Sequence, residues 1–247
     1  VNPFEKFGIE RLSYSAIDLW ASNPLLYCLR YLAKMPSDVG PGAWRGTAVG
    51  VGLADFLRRG DQGAALEMSL HRFDQEARGR TDSKIEKERG LIPAFLETAI
   101  AHFGDDIPVL TESEFKIEYE FDGVAVPLIG YVDLRFDGRP FIELKSTLRL
   151  PSQPQDNHVG QVSIYSDALK EDGEILYVTD KRAAVFPIGA NTRAQALGKI
   201  RRNALALQNF LSKISTVQEA IQTLPINTQD YKWTEAATLK VEEYASC

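Results

Sequence analysis

Gly130-Tyr131-Val132-Asp133, then Ile142-Glu143-Leu144-Lys145, reads as two neighbouring β-strands with charges inside an apolar run. Ile142 and Leu144 alternate with Glu143 and Lys145, and Pro140-Phe141 precede them, the pattern of a strand within a sheet. Carboxylates and an ammonium embedded there are costly unless they are paired or hold a cation. Glu143 and Lys145 are two residues apart and share a face. Whether Asp133 joins them depends on the turn at Asp137-Gly138. A two-residue loop pairs 136 with 139, hence 132 with 143, and sends Asp133 and Glu143 to opposite faces. A three-residue loop over 137–139, or a bulge, pairs 133 with 143 and brings the carboxylates together. A working centre needs the second arrangement, so a loop spanning 137–139 or a bulge nearby is expected.

The chemistry suggested is phosphodiester hydrolysis. That reaction needs an activated water and stabilised charge on the phosphoryl oxygens, and Mg²⁺ or Mn²⁺ supplies both. These hard ions take carboxylate and carbonyl oxygens. Asp133 and Glu143 are the candidate ligands, with the Leu144 main-chain carbonyl as a third. Lys145 could orient the attacking water, stabilise the pentavalent transition state, or act as an acid/base if its pKa is lowered. Downstream, Gln161 and Tyr165 stand four apart on one face of an expected helix. The Gln161 amide can bond a phosphate, a water or Lys145, and the Tyr165 hydroxyl can bond a phosphate. Asn157 and His158 fall at the start of that helix, where backbone N–H groups favour anions.

The rest of the chain has an ordinary globular composition: 247 residues, 44% hydrophobic and 25% charged. A net charge of −6 counts against a protein that coats nucleic acid by bulk charge. It is compatible with a local basic groove beside an acidic metal pocket. No apolar run approaches the ~18 residues of a membrane helix, and residues 1–6 lack the basic start and apolar stretch of a secretory signal. No membrane association is expected. Cys28 and Cys247 lie far apart. That argues against a disulfide framework or a cysteine-only metal site and fits a reducing, cytoplasmic setting.

Helices are expected first. One opens at Leu12–Ile17 with Ser13 or Ser15 as its cap, and Pro24 separates it from a second at 25–32. Residues 36–45 read as a loop, Gly46 to about Arg59 as a helix, 61–82 as a polar helical lobe, and 84–103 as a further helix. Three antiparallel strands follow, at 115–121, 124–136 and 141–146, with a turn at Asp122-Gly123. Then come a helix at 158–171, a strand at 174–179, a second candidate strand at 183–187, a long helix at 191–214, and a tail holding Tyr231, Trp233 and Tyr244. The order gives an α/β core with N-terminal helical additions. We expect a single domain over 1–247, with a helical region 1–105, an αβ catalytic core 106–215 and a C-terminal tail 216–247. His71 and His102 read as surface or packing residues, Trp20 and Trp233 as core, and Arg201-Arg202 as a solvated helix face.

These residues resemble the PD-(D/E)xK nuclease superfamily, specifically its RecB/Cas4-like exonuclease branch. Leu12-Ser13-Tyr14-Ser15 with Asn23-Pro24-Leu25-Leu26-Tyr27 and Arg30-Tyr31 is similar to that branch's N-terminal segment. Arg45-Gly46-Thr47-Ala48-Val49 is similar to its "G-T-x-[VIL]-H" helix start. Gly130–Asp133 with Ile142–Thr147 is similar to "G-x-[IV]-D … [IV]-x-[DE]-x-K-[ST]", and Gln161 to Tyr165 to "Q-x-x-x-Y". The resemblance spans about residues 12–170 and implies a restriction-endonuclease-like core, a mixed sheet flanked by helices. It also implies a metal-dependent DNA exonuclease of bacteriophage type, acting on single strands or duplex ends. Asp133, Glu143 and Lys145 would be catalytic with Gln161 and Tyr165, and Ser15, Arg45, Gln161 and Tyr165 would contact DNA. A homo-oligomer that threads DNA is one assembly it allows. A structure-specific endonuclease of the same fold, or an inactive DNA- or partner-binding derivative, are the alternatives. Two departures stand out. Gly50 occupies the place of a metal-binding His, so the site must lose a ligand, use water, or recruit a carboxylate such as Glu86 or Glu114. Asn23 stands where cluster-bearing members place a cysteine, so no iron–sulfur cluster is expected.

Overall fold

The computed structural model describes residues 2–36, 39–104, 107–230 and 232–245. Tyr231 and Cys247 lie outside the described residues. The chain forms two compact units, one of residues 38–117 and 131–193, the other of 1–37, 118–130 and 194–247.

The first unit holds the quoted strands. Its helices are α1 (Pro41–Arg59), α2 (Gln62–Ala77) and α3 (Ile85–Ala101). The sheet runs β1 (Leu110–Tyr119), β2 (Leu128–Phe136), β3 (Phe141–Ser146), then, after helix α4 (Asp156–Leu169), β4 (Gly173–Val178) and β5 (Ala183–Pro187). The spatial order is β1-β2-β3-β4-β5. β2 and β3 are antiparallel, β3 and β4 parallel, and β4 and β5 antiparallel, so the sheet is mixed. α4 is the crossover that makes β3 and β4 parallel. Ile142 and Leu144 of β3 join Leu176 and Val178 of β4 in a core with Trp44, Val49 and Leu53 of α1 and Ile92, Phe95 and Leu96 of α3. Phe141 points the other way, its ring 6.4 Å from that of Tyr165 on α4. The sheet is thus covered by helices, as an α/β layer requires.

Element boundaries differ from expectation in two places. α1 begins at Pro41, inside the segment read as a loop, because proline is preorganised for the first helical position and Gly40 precedes it as an extended N-cap. β1 ends at Tyr119 and β2 starts at Leu128, leaving a connection longer than a two-residue hairpin. Asp122-Gly123 still turns the chain: the Val124 N–H donates to the Phe121 carbonyl at 3.0 Å, and Gly123 has φ +83°.

The second unit contains α5 (Tyr14–Ser22) and α6 (Pro24–Tyr27), the latter continuing as a π turn over Cys28–Leu32. It also contains most of α7 (Ala190–Lys213), with α8 (Val217–Thr223) and α9 (Glu235–Ala245). Ser13 caps α5 by accepting from the Ala16 N–H. Asn23 caps α6 through the Leu26 N–H and donates its amide to the Asn227 carbonyl and Asp230. Asn23 is thus spent on helix capping and on these two contacts. Cys28 is fully buried, and burial pushes its thiol up to about 12. Trp20 is in the core, and Arg201 pairs with Asp122. Among the described residues no helix is long and apolar enough to cross a membrane.

α1 crosses α2 where Gly52 meets Ser69. A Cβ on Gly52 would sit 1.9 Å from the Ser69 hydroxyl and 2.7 Å from the Ala65 carbonyl oxygen, so this glycine permits the helix packing. Gly50, half a turn away, has no such duty: a Cβ there meets only a Leu144 methyl at 3.8 Å. Urea denaturation should show Gly52→Ala costing about 1–3 kcal/mol through overpacking. Gly50→Ala should gain up to about 1 kcal/mol from helix propensity. Equal effects at both positions would contradict this packing.

Candidate active site

β2 and β3 are in register at Leu134 opposite Ile142. Extending that register by one residue sets Asp133 opposite Glu143, and in the other direction it leaves 137–139 as the connecting loop. Gly138, at φ +65°, takes the left-handed position such a loop needs. The three-residue loop expected from the sequence is the one present.

The two carboxylates differ in how they are held. Asp133 accepts the Leu144 N–H at 2.8 Å. Glu143 is 1% exposed and binds Lys145 Nζ through Oε1 at 2.6 Å, while its buried Oε2 has no hydrogen-bond partner. Lys145 also donates to Gln161 Oε1 at 3.1 Å. The Gln161 amide donates to the Tyr165 hydroxyl at 2.9 Å, and that oxygen also accepts the Tyr131 N–H at 3.3 Å. A single line of hydrogen bonds thus runs from Glu143 through Lys145 and Gln161 to Tyr165, and α4 supplies its far end because Gln161 and Tyr165 share one helix face.

The electrostatics follow from two negative groups and one positive group in a buried place. Burial, then repulsion from Asp133, pushes the Glu143 carboxyl up to about 8 despite Lys145. Burial also raises Asp133, with the Lys145 charge and the Leu144 N–H opposing it. Burial alone would lower Lys145, but the charges of Glu143 and Asp133 outweigh it and the net shift is upward. In the cation-free protein this favours the charged ammonium of Lys145.

A cavity of about 370 Å³ opens over this group, lined by Asp133, Glu143, Leu144 and Lys145, by Ser113 and Glu114 of β1, and by one stripe of α1 that includes Thr47, Gly50, Ala54 and Arg58. The donors fit a hard divalent cation: two opposed carboxylates and a buried carboxylate oxygen without a partner. Among the described residues no three Asp, Glu, His or Cys side chains form a ready cage, so main-chain carbonyl or water must complete any coordination.

The other expected site residues fall out unevenly. Glu114 and Glu86 are both exposed, and of the two Glu114 lines the cavity. Arg45 is not available to DNA. It is 3% exposed, ion-paired with buried Glu88, bonded to the Ser146 hydroxyl at 3.0 Å and stacked over Phe95. Its charge ties α1 to α3 and to the end of β3. Tyr165 is likewise buried, at 3% exposure, so it supports Gln161 rather than reaching a phosphate. Ser15 is exposed in the first turn of α5, its hydroxyl 2.9 Å from that of the capping Ser13. His158 lies within the first turn of α4 and turns inward, Nδ1 2.7 Å from the Tyr177 hydroxyl. Burial, then the charge of Lys145, pushes it down to about 3, which favours the neutral ring. The residue that sequence reasoning missed is Arg58, an exposed cation at the cavity that donates to the Ser113 hydroxyl. Its signal was helical spacing: 47, 50, 54 and 58 follow one face once Gly50 is placed at the site.

A family model of the PD-(D/E)XK nuclease superfamily matches residues 11–247. The chain belongs to the PD-(D/E)XK nuclease superfamily. Nucleases of this superfamily generally use divalent metals. Among solved structures, a protein provisionally named an exonuclease, from Eubacterium rectale, is similar at TM-score 0.57 and 12% identity, covering 90% of this chain and 92% of its own. At that identity the likeness shows the fold: a mixed sheet flanked by helices, with helical additions at the N-terminus. The structure of SSO0001 matches at TM-score 0.35 and 19% identity, over 64% of this chain and 75% of its own, too low to bear on the fold. No curated protein matches the chain.

Between the ordinary carboxyl value of 4.5 and about 8, folded Glu143 keeps a proton that the unfolded chain has lost. The stability of the cation-free protein therefore falls as pH rises through that window. In EDTA, melting temperature should be higher near pH 5.5 than near pH 8, and Glu143→Gln should flatten the difference. A native protein with no pH dependence there would contradict the buried carboxylate pair.

Proposed function

We propose that the chain is a metal-dependent DNA exonuclease of the RecB/Cas4-like branch, hydrolysing phosphodiester bonds at single strands or duplex ends. The observation that carries this reading is the register that sets Asp133 opposite Glu143 with Lys145 fixed beside them. Asp133, Glu143 and the Leu144 carbonyl would hold Mg²⁺ or Mn²⁺, which when bound supplies an activated water and charge stabilisation. The Leu144 N–H orients the Asp133 carboxylate toward its partner. The Lys145 ammonium presents positive charge to the phosphoryl oxygens, where charge builds in the transition state. Gln161 holds that ammonium in place, and Tyr165 holds Gln161. A buried chain of this kind keeps the lysine from collapsing wholly onto Glu143.

Gly50 favours a second reading, a DNA-binding derivative that has lost turnover. The retained Asp133, Glu143, Lys145, Gln161 and Tyr165 speak against it, since binding alone does not call for that set.

The test is cleavage of end-labelled linear single- and double-stranded DNA, beside closed circles, with Mn²⁺, Mg²⁺ or EDTA. Linear DNA should be degraded only with metal, and circles should survive. Lys145→Ala should lower the rate by about 10²–10³-fold or more. Tyr165→Phe, which loses only a supporting hydrogen bond, should lower it by about tenfold. Cut circles would make the chain an endonuclease. Intact DNA under every metal, with binding retained, would overturn the enzyme reading.

A further inference from the structure

Gly50 and Glu114 each occupy a backbone that suits the other. Gly50 stands inside α1, where glycine is a poor helix former, and the packing does not ask for it: a Cβ meets only the Leu144 methyl at 3.8 Å. Glu114 stands inside β1 with φ +51°, a left-handed conformation in which glycine is the unstrained choice. Both line the same cavity. Ser113 and Glu114 line it together although they are consecutive, which a regular strand forbids because successive side chains alternate between faces. The left-handed residue, itself exposed, interrupts the alternation and lets both line the cavity beside Gly50.

Among the described residues the Glu114 carboxylate has no hydrogen-bond or ion-pair partner, and it lies close enough for its charge to act on Asp133. Within the same cavity the buried Glu143 Oε2 also lacks a partner. We propose that Glu114 is the third acidic group of the cation centre, supplied by β1 in place of the side chain that α1 lacks at Gly50, and that it holds the cation through an intervening water. The proposal rests on reading this cavity as a divalent-cation site. The water agrees with the absence, among the described residues, of a ready cage of three Asp, Glu, His or Cys side chains. It also suits a hard ion such as Mg²⁺ or Mn²⁺, which keeps part of its hydration shell and binds a carboxylate through it. Glu114 is in this sense a positioning residue for the cation and its water.

The test reads cation binding, not cleavage. Mn²⁺ is titrated into the native chain, Asp133→Asn, Glu114→Gln, Glu114→Gly and Glu114→Gly with Gly50→His, and free Mn²⁺ is followed by electron paramagnetic resonance. Both Glu114 variants should bind about tenfold more weakly, the usual cost of losing an outer-shell partner. Glu114→Gly should melt no lower than the native chain, because it relieves the left-handed backbone. Gly50→His in that background should recover most of the affinity, since the helix then offers a ligand to the same space. Glu114→Gln and Glu114→Gly binding within twofold of native would overturn the proposal while leaving the cation centre intact. A native chain that does not bind Mn²⁺, or an Asp133→Asn variant that binds as native, would overturn both.

Discussion

Two carboxylates face each other across β2 and β3 with one ammonium to balance them, and most of the local structure serves that imbalance. A pair of like charges in a buried place is unstable by itself. The protein meets the cost in parts. The Leu144 N–H takes one oxygen of Asp133, Lys145 takes one of Glu143, and a proton on the pair covers what remains in the absence of a cation. One oxygen of Glu143 receives no hydrogen bond from a lysine, amide or main-chain N–H. A site built this way is poor for stability and well suited to a doubly charged ion.

The supporting structure is divided between the strand register and two helices. The three-residue loop at 137–139 decides that Asp133 and Glu143 meet at all. α4 contributes nothing that reaches the cavity directly through Tyr165, but its Gln161 and Tyr165 fix the position of Lys145. α1 gives up side-chain volume at Gly46, Gly50 and Ala54 to leave room over the carboxylates, and brings Arg58 to the same cavity. The buried Arg45–Glu88 pair anchors α1 to α3, so the floor of the cavity is held by an ion pair outside it.

Much of this was legible in the sequence because it depends on short-range periodicity. Alternation placed β2 and β3, the two-residue spacing put Glu143 and Lys145 on one face, and the four-residue spacing joined Gln161 to Tyr165. Even the loop length could be inferred, since the chemistry tolerates only one register. What the sequence concealed depends on depth and on backbone conformation. Arg45 carries a charge that suits a phosphate, yet Glu88, far along the chain, draws it inward. Tyr165 carries a hydroxyl suited to phosphate, but the ring is packed against Phe141 and the hydroxyl is spent on Gln161 and Tyr131. The left-handed backbone at Glu114 has no signal in residue type, because glutamate is not a residue that favours it. Pro41 was masked by the glycines around it, which suggest a loop although proline starts a helix well.

The central claim is that Asp133 and Glu143 form a divalent-cation site. The most direct measurement is a crystal of the protein grown with Mn²⁺, with data collected at a wavelength where manganese scatters anomalously. The account predicts an anomalous peak between the Asp133 and Glu143 carboxylates, touching the Glu143 oxygen that is otherwise without a partner. Carboxylates hydrogen-bonded to each other with no peak between them at saturating Mn²⁺, or a peak bound elsewhere in the chain, would contradict it.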